Sequence, residues 1–418
     1  MKRIFLGSTA VLLSGVSAAH AQIAITVGGD QYFEFGYVNK AGTEGENQFR
    51  KTEMRDRTRL TINATGKADN GLEYGVRTRI RLRQQATLDF DRSWAYVSGE
   101  WGQLQFGTNS GVDDRQKVFA PNDWGAGGVD GTALEWFCCT SPQSTSQITG
   151  GDIAPLYSYT VPKSMIGPPT TVEPTVTRIS YYSPRIAGFE LGLSYAPSND
   201  SSGTDINRNT FGGNNNILRP PAGAPVTQTS INYNFKDIIE AGANYSGSFA
   251  GVGVKANVDV VSGNTKDAFH LANGLVAPPG ATSGTTTVHN PLLGFQTGAQ
   301  VGYAGWTVGG SYTYYGNSGL AKPAIYNHAD QWSWNAGIQY SILSYVFGAS
   351  YLHAEDPGTP LGGGSKKLDQ YVTGARYIVT KGFDLNLEYD RLDLANTKTS
   401  GARDVSADIV IFRTNVAF

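Results

Sequence analysis

Several things are scarce in this sequence, and each scarcity excludes a class of protein. Charged residues make up only 16% of the 418 residues, against about 25% in an average soluble domain. Beyond the N-terminal region, no stretch reaches the roughly 18 uninterrupted apolar residues that a membrane helix needs, which excludes a helical membrane protein. The formal net charge of -2 gives no general case for a nucleic-acid partner.

The sequence also lacks the motifs that carry common catalytic chemistry. It contains no Gly-x-Ser-x-Gly, no phosphate-binding loop and no His-Glu-x-x-His. The histidines that follow the N-terminal region stand far apart, without the spacing of metal ligands. They are His270, His289, His328 and His353. We therefore predict that the protein is not an enzyme and that it holds neither a cofactor nor a metal ion.

The N-terminal region has the pattern of a secretory signal. Lys2 and Arg3 precede an apolar run over residues 4–16, and Ala19-His20-Ala21 supplies the small residues of a cleavage site. We expect cleavage before Gln22, so that the mature chain lies outside the cytoplasm. A buried helix is the alternative reading of the apolar run.

Residues 72–83 alternate two kinds of side chain without a break. Apolar or β-branched residues share one parity and arginines share the other. The first set is Leu72, Tyr74, Val76, Thr78, Ile80 and Leu82, and the second includes Arg77, Arg79, Arg81 and Arg83. Successive side chains of a strand point to opposite faces, so the pattern predicts a strand with one apolar face and one arginine face. Taken alone, a water-facing sheet explains this pattern equally well.

The same alternation recurs along the chain, in pairs of segments joined by short turns. We count about sixteen such segments, an even number of the kind that bacterial outer-membrane barrels have. The loops between pairs are long and rich in Asn, Gly, Ser, Thr and Pro, as in residues 198–228 and 262–291. Short turns at one end and long loops at the other predict an all-β fold, a transmembrane antiparallel up-and-down β-barrel.

Aromatic residues near the segment ends favour the same interpretation, because aromatic girdles mark the two membrane interfaces of such barrels. They include Tyr303, Trp306, Trp332, Trp334, Tyr340, Tyr345 and Tyr389. Ordinary packing aromatics are the alternative. Residues 109–176 show no sustained alternation, and a structureless loop of that length indicates a functional role.

These features together resemble the general-diffusion porins of Gram-negative outer membranes, especially the alphaproteobacterial type, over essentially the whole mature chain. The resemblance rests on the signal peptide, on WGQLQFG (residues 101–107) before the long loop, on WGAGGVDG (residues 124–131) within it, and on a last strand ending in Phe418. It implies a signal peptide over residues 1–21 and a single porin barrel of about 16 strands over residues 22–418. Its third loop, residues 109–176, would fold inward and constrict the pore.

The resemblance also implies a function: an outer-membrane channel for the passive diffusion of small hydrophilic solutes and ions. The expected partners are further copies in a homotrimer, outer-membrane lipid and lipopolysaccharide, and the diffusing solutes, with no nucleic acid. A substrate-selective anion or phosphate-type channel is the alternative within this class, because a row of arginines suits such solutes. Outside the class, a barrel lipase and a cell-surface adhesion protein remain alternatives.

Two sets of charged residues are candidates for the constriction. Seven arginines from three neighbouring strands should form one basic patch, because a wet lumen can hold them at a depth where lipid could not. They are Arg57, Arg59, Arg77, Arg79, Arg81, Arg83 and Arg92. The candidate opposing carboxylates in the long loop are Asp113, Asp114, Asp123, Asp130 and Glu135. For each acid, a solvated loop position is the alternative.

The two cysteines, Cys138 and Cys139, are adjacent within the long loop. Because we expect them outside the reducing cytoplasm, we predict that they are bonded to each other and stiffen the loop. Two free thiols and a crosslinked dimer are the alternatives.

The last strand generates a prediction about assembly. In the porins that this chain resembles, that strand ends in an aromatic residue with apolar residues at every second position before it, and the outer-membrane assembly machinery reads this signal. Phe418, Val416, Phe412 and Val410 fit, while Thr414 and Asp408 are weaker members. Deleting Phe418 should strongly reduce insertion and leave secretion intact, as measured by membrane fractionation. Wild-type amounts of the deletion variant in the outer membrane would contradict this role.

Overall fold

The computed structural model describes most of the chain that follows the predicted signal peptide. The described residues are 23–41, 50–82, 89–130, 136, 175–199, 234–266, 268–271, 284–322, 330–356, 365–396 and 404–418. Arg83, Glu135, Cys138, Cys139 and residues 1–21 lie outside them. The roles assigned to these residues therefore stay predictions.

Sixteen antiparallel strands close into a barrel in which the first strand of the chain pairs with the last. The first eight barrel strands are β1 (Ala24–Ala41), β2 (Thr52–Lys67), β3 (Glu73–Leu82), β4 (Asp89–Gly99), β5 (Gly102–Ser110), β6 (Thr175–Tyr182), β7 (Phe189–Ser198) and β8 (Asn234–Phe249). A small separate sheet contains β10 (Ala268–Leu271), β11 (Gly284–His289) and β14 (Ala321–Lys322). The other barrel strands are β9 (Val252–Lys266), β12 (Leu292–Tyr303), β13 (Trp306–Gly316), β15 (Gln331–Ile342), β16 (Tyr345–Asp356), β17 (Lys366–Thr380), β18 (Phe383–Asn396) and β19 (Val405–Ala417). The predicted fold class is confirmed, and the small sheet was not predicted.

The barrel wall is apolar outside and mostly polar inside, as the alternation predicts. In β7, Leu191 and Leu193 are exposed, whereas Ser194 between outward residues is buried. A closed barrel pairs its strands all round, so that backbone groups within lipid are satisfied by neighbouring strands. The seam between β1 and β19 continues to residue 418, where Phe418 and Gly29 exchange both backbone hydrogen bonds.

One end of the barrel has the short turns that the sequence indicates. Ala250-Gly251 joins β8 to β9 and Ala304-Gly305 joins β12 to β13, and all four residues have positive φ. Two successive residues of positive φ make the tight hairpin turn whose twist matches that of the flanking strands. The longer connections therefore lie at the opposite end.

Outward-facing aromatic side chains gather in two bands along the wall. Near the short turns, the rings of Trp306 and Tyr340 are 4.4 Å apart. Nearer the long loops, the rings of Tyr351 and Tyr371 are 4.9 Å apart. Their positions fit the interpretation of girdles at two membrane interfaces.

The connection between β5 and β6, residues 111–174, is the third loop. Its described part contains α1 (Val112–Gln116) and a 3-10 helix (Gly128–Asp130). Both elements pack against barrel strands on their inner side, which confirms that the loop folds inward.

Within the described parts of the chain, no helix is long and apolar enough to cross a membrane.

Candidate functional site: the constriction of the barrel

The described part of the third loop follows the inner wall of the barrel and is held there by side chains of successive strands. The amide of Val118 donates to Asn257 Oδ1 at 2.9 Å, and the amide of Ala120 donates to Asn335 Oδ1 at 2.8 Å. A buried backbone amide needs an acceptor. Carboxamide oxygens on β9 and β15 accept the loop amides here, as the backbone carbonyls of a neighbouring strand do in a sheet.

Two buried glutamates hold the two ends of this segment. Glu240 on β8 accepts a hydrogen bond from the amide of Val112 at the start of α1. On β18, Glu388 Oε2 accepts from the amides of Ala126 and Gly128, at 2.8 and 3.0 Å. These two acids accept backbone amides that would otherwise be buried without an acceptor, so they anchor the loop.

Trp124 is the apolar anchor of the loop. It is fully buried, and its Nε1 donates to the carbonyl of Pro121 at 3.0 Å. A Cβ at Gly348 on β16 would lie 2.0 Å from that nitrogen, so the indole fills space that only a glycine leaves free. Apolar side chains of the inner wall pack in one cluster with Trp124, and they include Val372, Leu392, Ile409 and Ile411. The buried acids Glu388 and Asp390 lie on the same part of the wall.

Six of the seven predicted arginines are described, and the register of three neighbouring strands brings them onto one sector of the inner wall. They are Arg57 and Arg59 on β2, Arg77, Arg79 and Arg81 on β3, and Arg92 on β4. Arg59 lies directly opposite Arg81, and Arg79 lies directly opposite Arg92. Like charges in such pairs are destabilising, so this sector requires counter-charges or water alongside it.

Asp114 and Asp130 lie among cations. Asp114 is 3.4 Å from Arg92 and 3.2 Å from Lys117, and Lys117 is 3.0 Å from Asp130. Burial by itself would raise the pKa of Asp114, but Lys117 and Arg92 outweigh it and lower that pKa to about 2. Burial would likewise lower the pKa of Lys117, and Asp130 and Asp114 raise it instead. Both groups are therefore charged at neutral pH.

Asp113 and Asp123 have different surroundings. Asp113 is buried with Glu240, Asp114 and Arg178 as charged neighbours. Burial, and then the negative charge of Glu240, raise the pKa of Asp113 well above its usual range. Asp123 accepts a hydrogen bond from Gln339 Nε2 at 3.0 Å, on the wall at β15. Asp114 thus lies within hydrogen-bonding distance of a predicted arginine, Arg92.

Several residues of this region were not found from the sequence. They are the loop anchors Glu240, Glu388 and Trp124, the cations Arg55, Lys117 and Arg413, and the loop residue Trp136. The sequence holds one usable signal, because an acid on the polar parity of a strand, such as Glu34 between Tyr32 and Gly36, faces the lumen. Nothing local indicates which loop atom such an acid would bind.

A closed antiparallel barrel of sixteen strands with one inward-folded loop is the architecture of an outer-membrane pore protein. The sequence profile described as Gram-negative porin matches residues 8–397, and the chain belongs to that family. The family and the barrel together make the protein an outer-membrane channel with a multi-pass β-barrel, as predicted.

Solved structures have the same fold. OmpT of Vibrio cholerae, in its trimer form, is 11% identical, with 95% of this chain and 99% of that chain covered and a TM-score of 0.55. The anion-selective porin from Comamonas acidovorans is 14% identical, with 95% and 100% covered and a TM-score of 0.55. A triple mutant of Rhodopseudomonas blastica porin is 14% identical, with 94% and 100% covered and a TM-score of 0.50. The sequence has no significant match among curated proteins.

The anchoring of the loop generates a prediction. Replacing Trp124 by Ala removes its most deeply packed indole, and such changes cost about 3–5 kcal/mol in well-packed cores. The barrel strands pair independently of this residue, so the loop alone should loosen. Hydrogen–deuterium exchange should become faster in peptides from residues 111–130 and stay unchanged in peptides from β12 and β13. Trp101→Ala, which removes an exposed indole at a short turn, is the control, and equal loop protection in both variants would contradict the anchoring role.

Proposed function

We propose that the protein is a water-filled channel for the passive diffusion of small hydrophilic solutes and ions, without enzymatic activity. In this proposal an arginine wall on β2–β4, completed by Arg83, lines one side of the constriction, and carboxylates of the third loop line the other. The observation that carries it is the register of β2, β3 and β4, which gathers six arginines on one inner sector. Asp114, at 3.4 Å from Arg92, supplies a loop carboxylate beside that sector.

The electrostatics of this arrangement favour anions slightly. Successive arginines on one face of a strand are roughly 7 Å apart along it, which is within the screening length of about 8 Å at physiological salt. Their fields therefore add rather than being screened from one another. Lys117 pairs with both Asp114 and Asp130 and so offsets part of the negative charge of the loop.

A substrate-selective channel for multivalent anions such as phosphate is the second candidate. It is favoured by the pairs Arg59–Arg81 and Arg79–Arg92, in which two arginines lie directly opposite each other in the strand register. Guanidinium groups bind phosphate and carboxylate oxygens in a bidentate manner. Conductance that saturates with phosphate concentration would favour this candidate, and conductance proportional to salt would favour general diffusion.

The arginine wall generates a prediction about ion selectivity. Replacing Arg77, Arg79 and Arg81 together with Gln removes three positive charges and keeps side chains of similar polarity. The reversal potential in a salt gradient should shift toward cations, with expression nearly unchanged. The matched control replaces Lys67, Arg185 and Lys381, which are exposed at the short-turn end, with Gln. If the β3 variant keeps wild-type selectivity and conductance, these arginines do not line the conducting path.

We also propose a homotrimer, with the outward face of β3–β6 as the contact between copies. Small hydroxyl side chains pair there across neighbouring strands: Thr78 with Ser93, and Thr108 with Thr177, each at 3.1 Å. Small residues let backbones approach closely, which favours contact between membrane proteins. By contrast, the outward face of β13–β17 carries bands of aromatic rings suited to lipid.

The proposed contact is tested by adding bulk to one outward face at a time. Thr78→Trp should convert the compact oligomer of unheated protein on a detergent gel into monomer, because the indole separates the two barrels. Thr373→Trp adds the same bulk on the outward side of β17. Lipid there can be displaced by the indole, so the oligomer should stay intact. Light scattering of the purified protein gives the number of copies. The reverse pattern in the two variants would assign the contact to the other face.

A further inference from the structure

Trp136 lies against β1, two strands from β18, and packs against the same buried cluster as Trp124. Its indole ring packs over Gly36, where a Cβ would come within 2.7 Å of the ring carbons. The ring nitrogen Nε1 donates to Glu34 Oε2 at 3.0 Å. The guanidinium carbon of Arg55 lies 5.3 Å from the ring centroid, within the range of a cation–π contact. Three residues of β1 and β2 thus form a slot for one indole.

Glu34 is held in place by charges as well as by the indole. Its side chain is fully buried, and it accepts hydrogen bonds from Arg55 on β2 and from Arg413 on β19. The guanidinium of Arg413 also lies 4.4 Å from the ring centroid of Tyr32. The acceptor for Trp136 is therefore fixed by three neighbouring strands, and its position does not depend on the loop.

The position of this slot matters because the arginine wall lies next to it. Glu34 is opposite Arg55 in the pairing of β1 with β2, and β2 is the first strand of that wall. At the other edge of the wall, on β4, Arg92 contacts Asp114 near the start of the loop. Between Asp114 and Trp136 the described loop residues contact β8, β9, β15 and β18. The loop therefore meets both edges of the arginine wall and passes around the rest of the barrel.

We infer that Trp136 is a positioning residue for the constriction, with Gly36 as its slot and Glu34 as its acceptor. By fixing the loop to β1, it sets the width that is left open alongside the arginines. It contributes no charge, so it controls the size of the solutes that pass, whereas the arginines control their sign. This inference rests on the proposed channel function.

The test separates the width of the pore from its ion selectivity. Trp136→Ala removes the indole, and Gly36→Ala fills the slot without any change to the loop. Both variants should raise single-channel conductance and admit larger sugars in liposome-swelling assays, with the reversal potential unchanged. Trp136→Phe keeps a ring in the slot but loses the N–H donor, so its effect should be smaller than that of Trp136→Ala. Glu34→Gln should weaken the contact without adding bulk, which covers the case in which Gly36→Ala fails to fold. Because this variant also removes a negative charge, its readout is the size limit, and the reversal potential is compared only in the Trp136 and Gly36 variants.

Trp101→Ala is the control, since it removes an exposed indole far from the slot, and it should behave as wild type. Every variant is first checked for the heat-dependent gel shift of a folded barrel. If folded Trp136→Ala and Glu34→Gln keep the wild-type conductance and size limit, the inference is wrong. A shift in reversal potential without a change in size limit also overturns it. A wild-type protein that is silent in planar bilayers instead overturns the proposed channel function.

Discussion

The rest of the structure depends on one requirement, which is that every backbone hydrogen-bonding group within a membrane needs a partner. The barrel meets it by closing β1 onto β19, so that no strand edge faces lipid. The same requirement acts inside the barrel on the described part of the third loop, residues 111–130, which contains no strand. Side chains of the wall take the place of a strand there, and Asn257, Asn335 and Glu388 accept its amides.

Because the loop needs these acceptors, the inner wall is divided into sectors of different chemistry. Where the loop lies on β16–β19, an apolar cluster surrounds Trp124, and buried acids such as Glu388 lie beside it. Where the arginines lie on β2–β4, the wall remains charged. Ion pairs within the wall itself, such as Arg57 with Asp30 at 3.2 Å, reduce the repulsion between these arginines. The counter-charges of the arginine wall therefore come from the strands as well as from the loop.

The number and facing of the strands could be predicted from the sequence because a period of two is a strong signal wherever lipid requires apolar side chains. At the long-loop end the apolar alternation covers only part of each strand, because the outward side chains there are no longer all apolar. In β18 the regular alternation of apolar and polar residues stops at Asp390, although the strand continues to Asn396. In β2 it starts at Arg57, although the strand begins at Thr52. There the outward residues are Arg391, Asp393 and Asp56, and an outward charge hides the alternation. Those strands project beyond the hydrocarbon, where water satisfies such charges.

In the candidate site, too, contacts between residues far apart in the chain are not visible in local sequence patterns. The sequence indicates which arginines share a face because they share a parity within short stretches of neighbouring strands, and their role at the constriction stays a prediction. The anchors of the loop could not be predicted, since Ala126 and Glu388 are 262 positions apart and Trp136 and Glu34 are 102 apart. The family resemblance implies that loop acids oppose the arginines. In the structure Asp114 lies 3.4 Å from Arg92, Asp113 is buried beside Glu240, and Asp123 accepts a hydrogen bond from Gln339. An acid in an inward loop has to meet either the wall or the lumen, and the packing of the loop backbone, which a sequence does not display, determines which of the two it meets.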